Sequence, residues 1–179
     1  YDNFALGGVQ SLFLNIVGNL YTEYQFDFVV FEISTQTCEK QAYIYGCRVF
    51  YIPHYNGSVK LRKRADYYLR GYYIYTNVKK MLKRYGPYDV IHCNKAFESG
   101  LCVKAAYECG IPIRIVHSHT NFKKSPFPRV LWDKYYQKMI KKYSTCNIGC
   151  SKEACKSLFE NLNCQVINKP YDEKKYFYR

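Results

Sequence analysis

Ile111-Pro112-Ile113-Arg114-Ile115-Val116-His117-Ser118-His119-Thr120 is an apolar run that ends abruptly in two histidines two residues apart. A run of β-branched residues launched by Gly110 and Pro112 reads as a buried strand of a parallel sheet, because helices cover both faces of such a strand and alternation disappears. It is too short for a helix of ordinary length. Side chains alternate along a strand, so His117 and His119 point the same way, at the C-terminal edge where open α/β sheets place their ligands. Chemistry is expected at that edge.

Working outward, Tyr88 to Cys93 reads as the preceding strand, and a helix from Glu98 to Cys109 leads through Gly110 into the central one. Beyond it come a loop rich in lysine and proline, Asn121 to Pro128, and a helix, Arg129 to Lys142. Cys146 to Cys150 is a short strand. Ser151 is a plausible cap for a helix through Phe159 with Ala154 and Leu158 facing inward, and Cys164 to Ile167 is a last short strand. On the other side, Gly8 to Leu20 carries Val9, Leu12, Phe13, Ile16, Val17 and Leu20 at helical spacing. Phe26 to Ile33 is a strand, a helical patch follows around Glu39 to Ala42, and Cys47 to Ile52 is a strand stopped by Pro53. A basic helix runs from about Lys60 to Arg84, ended by Gly86-Pro87.

Strands alternating with helices predict a doubly wound α/β domain built on a parallel sheet. Residues 1–170 are expected to form it, with 171–179 starting a connector. The turn Asn3 to Gln10 enters a helix directly, and in an α/β protein such a turn follows a strand, so a first strand is expected to be missing ahead of it.

The 179 residues are 48% hydrophobic, enough for one core. No apolar run approaches the roughly 20 residues that cross a bilayer, and no signal peptide opens the sequence. The net charge of +13 argues for anionic partners. Nine cysteines without a CxxC pair read as reduced thiols, which places the protein in the cytosol.

Several segments, in order, resemble the retaining glycosyltransferases of family 4, in which two Rossmann-like domains face each other across a cleft, the GT-B architecture. They are Gly7-Gly8-Val9-Gln10 leading into a helix, Tyr88-Asp89-Val90-Ile91-His92 followed by Ser99-Gly100, and Gly110-Ile111-Pro112 leading to His117-Ser118-His119. Cys150-Ser151-Lys152-Glu153-Ala154, Asp172 and Phe177 complete the series. The capsular or exopolysaccharide branch is the most similar. The resemblance covers the N-terminal, acceptor-side domain and implies a separate C-terminal domain for the sugar nucleotide. It also implies that residues 1–179 do not turn over alone. The expected hinge departs from the family's Pro-Asn-Gly-Ile-Asp, reading Asn168-Lys169-Pro170-Tyr171-Asp172.

A glycine pair at a helix N-terminus lets backbone N–H groups approach a diphosphate, so Gly7 and Gly8 are candidates for the donor's phosphates; an ordinary helix-start turn is the alternative. A strand-end histidine can bond acceptor or sugar, and the resemblance points to one of the pair, with His119 preferred over His117. Its role is positioning. His92, Asn94, Ser99 and Ser151 are the acceptor-side candidates. The sugar nucleotide is a co-substrate, and no metal or other cofactor is expected. His117-x-His119 with His92 and Cys93 could in principle ligate zinc, as in a small metallohydrolase, but no standard zinc spacing is present.

The basic residues form two blocks. The first is Lys60, Arg62, Lys63, Arg64, Arg70, Lys79, Lys80, Lys83 and Arg84, with Tyr67, Tyr68, Tyr72, Tyr73 and Tyr75 between them. The second is Lys123, Lys124, Arg129, Lys134, Lys138, Lys141 and Lys142, with Phe127, Trp132, Tyr135 and Tyr136. Cations with interfacial aromatics suit an anionic membrane face and would bring an enzyme to a lipid-linked acceptor at the inner face of the membrane. A solvated amphipathic helix is an equal reading for the first block, and function is favoured for the second. Stacking tyrosines and the charge would also suit a single-stranded nucleic acid, but the aromatics cluster on predicted helices and no RNA motif appears, so nucleic acid is not expected as the partner.

Overall fold

The computed structural model describes residues 7–31, 38–52, 63–123 and 125–167, and side chains within 63–68 are not described. Expectations for residues 3–6, Glu32, Ile33, Pro53, Lys60, Arg62 and Lys124, for the hinge and connector 168–179, and for the side chains of Lys63, Arg64, Tyr67 and Tyr68 lie outside the described residues.

The elements in order are α1 (Gly8–Leu20), β1 (Asp27–Val30), α2 (Glu39–Ile44), β2 (Arg48–Tyr51), α3 (Lys63–Tyr85) and β3 (Val90–Cys93). After a 3-10 turn at Ala96–Glu98 come α4 (Ser99–Glu108), β4 (Ile113–Ser118), α5 (Arg129–Tyr143), β5 (Cys146–Gly149), α6 (Lys152–Phe159) and β6 (Gln165–Val166). All pairings among the described residues are parallel. β1 pairs with β2, and β3, β4, β5 and β6 form a second sheet in that order. Parallel neighbours need crossovers, and the helices supply them, so the expected Rossmann-like doubly wound α/β class is what the chain adopts.

Alternation along β1 and β2 shows how the layers are built. Phe28 and Val30 meet Phe13, Leu14 and Val17 of α1 and Ala42 of α2 in one apolar cluster. Phe31 and Ile52 belong instead to the cluster of Ile74, Val78 and Leu82 on α3, with Val29 and Phe50 packed beside it. Successive residues therefore serve opposite faces, as a period of two requires. The α3 cluster continues into Val103, Ala105 and Ala106 of α4, Val116 of β4, Ile140 of α5 and Leu158 of α6. Tyr88 Oη also donates to Asp27 Oδ2 at 2.6 Å, tying the start of β3 to β1, where Arg48 holds the same carboxylate through two bonds.

Three expectations need correction. β4 is buried only in its second half: Ile113 is 47% exposed, while Val116, His117 and Ser118 are buried. Its first residues are not covered by helices. Cys155 and Cys164 form a disulfide between α6 and the approach to β6, leaving seven of the nine cysteines free. A spacing of nine residues carries no disulfide signal, because the pairing depends on the turn that folds α6 back. Tyr136, grouped with the interfacial aromatics of the second basic block, is 2% exposed and packs into the core side of α5.

Gly100, one of the segments that carried the resemblance, has a packing role. A Cβ there would overlap the Tyr136 carbonyl oxygen and lie 3.0 Å from Met139 Cβ, so its absence lets α4 and α5 approach.

Candidate functional site

β3 and β4 are neighbours in register, with His92 beside Ile115 and Cys93 beside Val116. Their C-terminal ends therefore deliver His92 and Asn94 to the same edge as His117 and His119. His117 and His119 do face the same way, with ring centroids 3.9 Å apart. His92 stacks on His117 at 5.4 Å with planes 16° apart, and its Nε2 lies 3.3 Å from His117 Nδ1.

Asn94 settles the proton on His119. Its Nδ2 donates to the His92 carbonyl at 3.2 Å, which leaves Oδ1 as the acceptor, and His119 Nε2 sits 2.7 Å from that oxygen. His119 Nε2 is thus the protonated nitrogen, and in a neutral ring Nδ1 is then the acceptor. Phe13 of α1 closes the cluster, edge-on to His92 at 4.8 Å and to His119 at 6.4 Å.

Burial pushes the His92 imidazole down from 6.5 to about 3, and the neighbouring His117 adds to the effect. Taking a cation out of water is costly, so His92 is neutral at physiological pH. The cluster is therefore a hydrogen-bonding array centred on a neutral ring. His117 is 6% exposed, whereas His119 is only half-buried. Of the two rings His119 is the more exposed, although its Nδ1 and the His117 Nε2 are both buried.

Gly7 is the N-cap of α1, with its carbonyl accepting the Ser11 N–H at 2.9 Å, and Gly8 is exposed. Gly7 has φ −165°, an extended backbone open to any residue, so the glycine supplies lack of a side chain rather than a special conformation. Phe13 lies five residues beyond Gly8, about 7.5 Å along the helix. The α1 N-terminus and the histidine cluster are thus ends of one short span.

Ser99 and Ser151 sit differently. Ser99 is fully buried, and its Oγ accepts the Lys95 backbone N–H at 2.9 Å, which makes it a fixture of the turn into α4. Ser151 caps α6 by accepting the Ala154 N–H at 3.1 Å, as its position ahead of the helix predicts. Lys123, Arg129 and Lys134 are exposed on the loop and helix that follow the histidine strand.

Two residues at the site had no sequence signal. Phe13 looked like any core position of an amphipathic helix. Lys95, next to Asn94, is 5% exposed, pairs with Glu98 Oε2 at 3.4 Å and lies 4.7 Å over the Phe31 ring. The Glu98 partner is three residues away in sequence, but the Phe31 ring that covers the lysine comes from a distant segment, which no spacing encodes.

In the first basic block two of the described cations are paired, while Lys80, Lys83 and Arg84 are exposed. The Lys79 ammonium and the Tyr75 hydroxyl bond Glu108, and Arg70 lies 3.4 Å from Glu98. The hydrogen bond to Glu108 holds the Lys79 ammonium well above its ordinary value. This arrangement fits the reading of α3 as a solvated amphipathic helix.

Among the described residues no group of three or more His, Cys, Asp or Glu side chains is placed to hold a metal ion. His92 Nε2 and His117 Nδ1 face each other, and His119 Nε2 faces Asn94, so these nitrogens are turned to protein partners rather than to a common centre. No helix among the described residues is long and apolar enough to cross a membrane.

No protein-family model matches the chain. In sequence it is 25% identical over 165 residues to EpsF of Bacillus subtilis (strain 168), a protein described provisionally as a glycosyltransferase; the match covers 89% of this chain and 39% of EpsF. In fold it is similar to HepE of Anabaena, solved in complex with UDP and glucose, with a TM-score of 0.60 at 13% identity over 97% of this chain and 45% of HepE. The chain spans less than half the length of either protein.

Proposed function

We propose that this chain is the N-terminal, acceptor-side half of a retaining glycosyltransferase of GT-B architecture. In this reading the whole enzyme transfers a hexose from a sugar nucleotide to a polysaccharide or lipid-linked glycan acceptor. The observation that carries it is the cluster His92, Asn94, His117 and His119 at the C-terminal ends of two adjacent parallel strands, closed by the helix that Gly7 and Gly8 begin. Likeness to EpsF supports the class of activity, and the fold shared with HepE, which was solved with UDP and glucose, supports a nucleotide sugar as co-substrate.

In this reading the N–H groups of the first turn of α1 approach the donor diphosphate, helped by the partial positive charge of the helix end. His119 lines the sugar's side of the site through the exposed part of its ring, while Asn94 fixes the ring and tautomer. The neutral His92 stacks on His117 and itself adds no positive charge to the cluster. The histidines position groups, and none is assigned as the base. A second domain supplies the remaining donor contacts, and the reaction needs no metal. The enzyme works at the cytoplasmic face of a membrane, where capsular or exopolysaccharide intermediates are carried on lipid, and takes no nucleic acid.

The test is sugar transfer by the complete gene product containing residues 1–179. His119→Ala and Asn94→Ala should each lower kcat/KM at least tenfold, about 1.4 kcal/mol. Transfer that survives the loss of both His117 and His119 removes the site.

A further inference from the structure

We propose that the outer face of α5, with Phe127 at its head, is a docking surface for an anionic phospholipid bilayer. This deepens the peripheral placement of the enzyme above but rests on a separate set of residues. Every exposed residue of α5 is either apolar, Leu131 and Tyr135, or cationic, Arg129, Lys134, Lys138, Lys141 and Lys142. The one acidic residue on the helix, Asp133, is 4% exposed and points away from that face.

The spacing gives the face an order. Leu131 and Tyr135 are four residues apart, so they share one row, and Lys134, Lys138 and Lys142 form the row beside it at the same interval. Phe127, in the turn just ahead of the helix, is 75% exposed, Leu131 is 55% exposed and Tyr135 is 40% exposed. An apolar row flanked by cations with no exposed anion is the pattern of a helix lying in a bilayer interface, with apolar side chains among the acyl chains and lysines among the headgroups. Lys134, Lys138, Lys141 and Lys142 form no ion pair among the described residues, so their charge is available to an external anion.

Charge complementarity selects the occupant. A neutral protein groove would match the apolar row and leave the lysine row unpaired, and a nucleic acid would match the lysines and leave Phe127 and Leu131 in water. An anionic lipid surface satisfies both rows at once. The head of α5 follows the loop from His119, so this face belongs to the segment next in the chain after the strand-end histidines.

The experiment is co-sedimentation of the 179-residue chain with vesicles of phosphatidylcholine alone and of phosphatidylcholine with one part in three phosphatidylglycerol. Binding is expected to the anionic vesicles only. Lys134→Gln/Lys138→Gln/Lys142→Gln should weaken it about 100-fold, at about fivefold per cation near an anionic surface. Phe127→Ser/Leu131→Gln should weaken it about tenfold or more, because two apolar side chains leave the acyl region. Lys80→Gln/Lys83→Gln on α3 should change it less than twofold. All these positions are exposed, and retained far-UV circular dichroism confirms that the variants fold. Equal loss from the α3 and α5 variants, no loss from Phe127→Ser/Leu131→Gln, or binding to an oligonucleotide but not to the vesicles overturns the proposal. The readout is independent of sugar transfer, so this proposal and the glycosyltransferase reading fail separately.

Discussion

Replacing His92 by glutamine should remove a pH dependence from the stability of the fold. In the folded chain burial holds the His92 pKa down from 6.5 to about 3. Between those values the unfolded chain binds a proton at this position and the folded chain does not. Stability therefore rises with pH across that window, is fully present above 6.5, and is lost as the pH falls below it. Each unit of pH inside the window is worth about 1.4 kcal/mol. Lowering the pH from about 7 to about 5 thus costs about 2 kcal/mol through this one group, against a total of about 5–15 kcal/mol for a domain. Glutamine keeps a neutral hydrogen-bonding end toward His117 but cannot titrate. The assay is urea unfolding of wild type and His92→Gln across this range, with the midpoint converted through the m-value. The variant should lose about 2 kcal/mol less than wild type on acidification. Identical pH slopes in the two proteins would refute the reasoning, because they would mean that His92 titrates normally in the folded state.

Other perturbations test the packing around the site. Gly100→Ala forces a methyl into the Tyr136 carbonyl and should cost about 1–3 kcal/mol in urea unfolding; an unchanged midpoint would show that the α4–α5 approach is not tight. Leu158→Ala, at a side chain with 0% exposure, should cost about 2–5 kcal/mol, and a loss under 1 kcal/mol would place α6 outside the core. Ser151→Ala should cost about 1 kcal/mol through loss of the Ala154 cap bond, with Ser151→Asp restoring most of it.

Much of the fold could be read from the chain alone, and the reasons are local. Val9, Phe13, Ile16 and Val17 at helical spacing announced α1, and Gly110 and Pro112 marked the start of β4 within two residues. The parallel class followed from strands separated by helices. The site was legible as far as the period of two allowed: it put His117 and His119 on one face, and the adjacency of β3 and β4 brought in His92 and Asn94. What could not be read depends on which surfaces meet. The neutral state of His92, the seat of Phe13 against it and the burial of Lys95 over Phe31 arise from packing between distant segments, and the disulfide of Cys155 with Cys164 from the turn that folds α6 back. Tyr136 was misplaced because basic and aromatic residues alternate along α5 in sequence, while only its angular position separates core from surface.

Whether this chain is half of a sugar-nucleotide-dependent transferase is decided by thermal shift of the complete gene product containing residues 1–179 with UDP-, GDP- and ADP-sugars. A donor present at about 100 times its dissociation constant should add roughly 2.7 kcal/mol of stability. A shift is expected with one sugar nucleotide, absent from residues 1–179 alone. No shift with any of them, together with stabilisation by an oligonucleotide or by zinc, would contradict that reading.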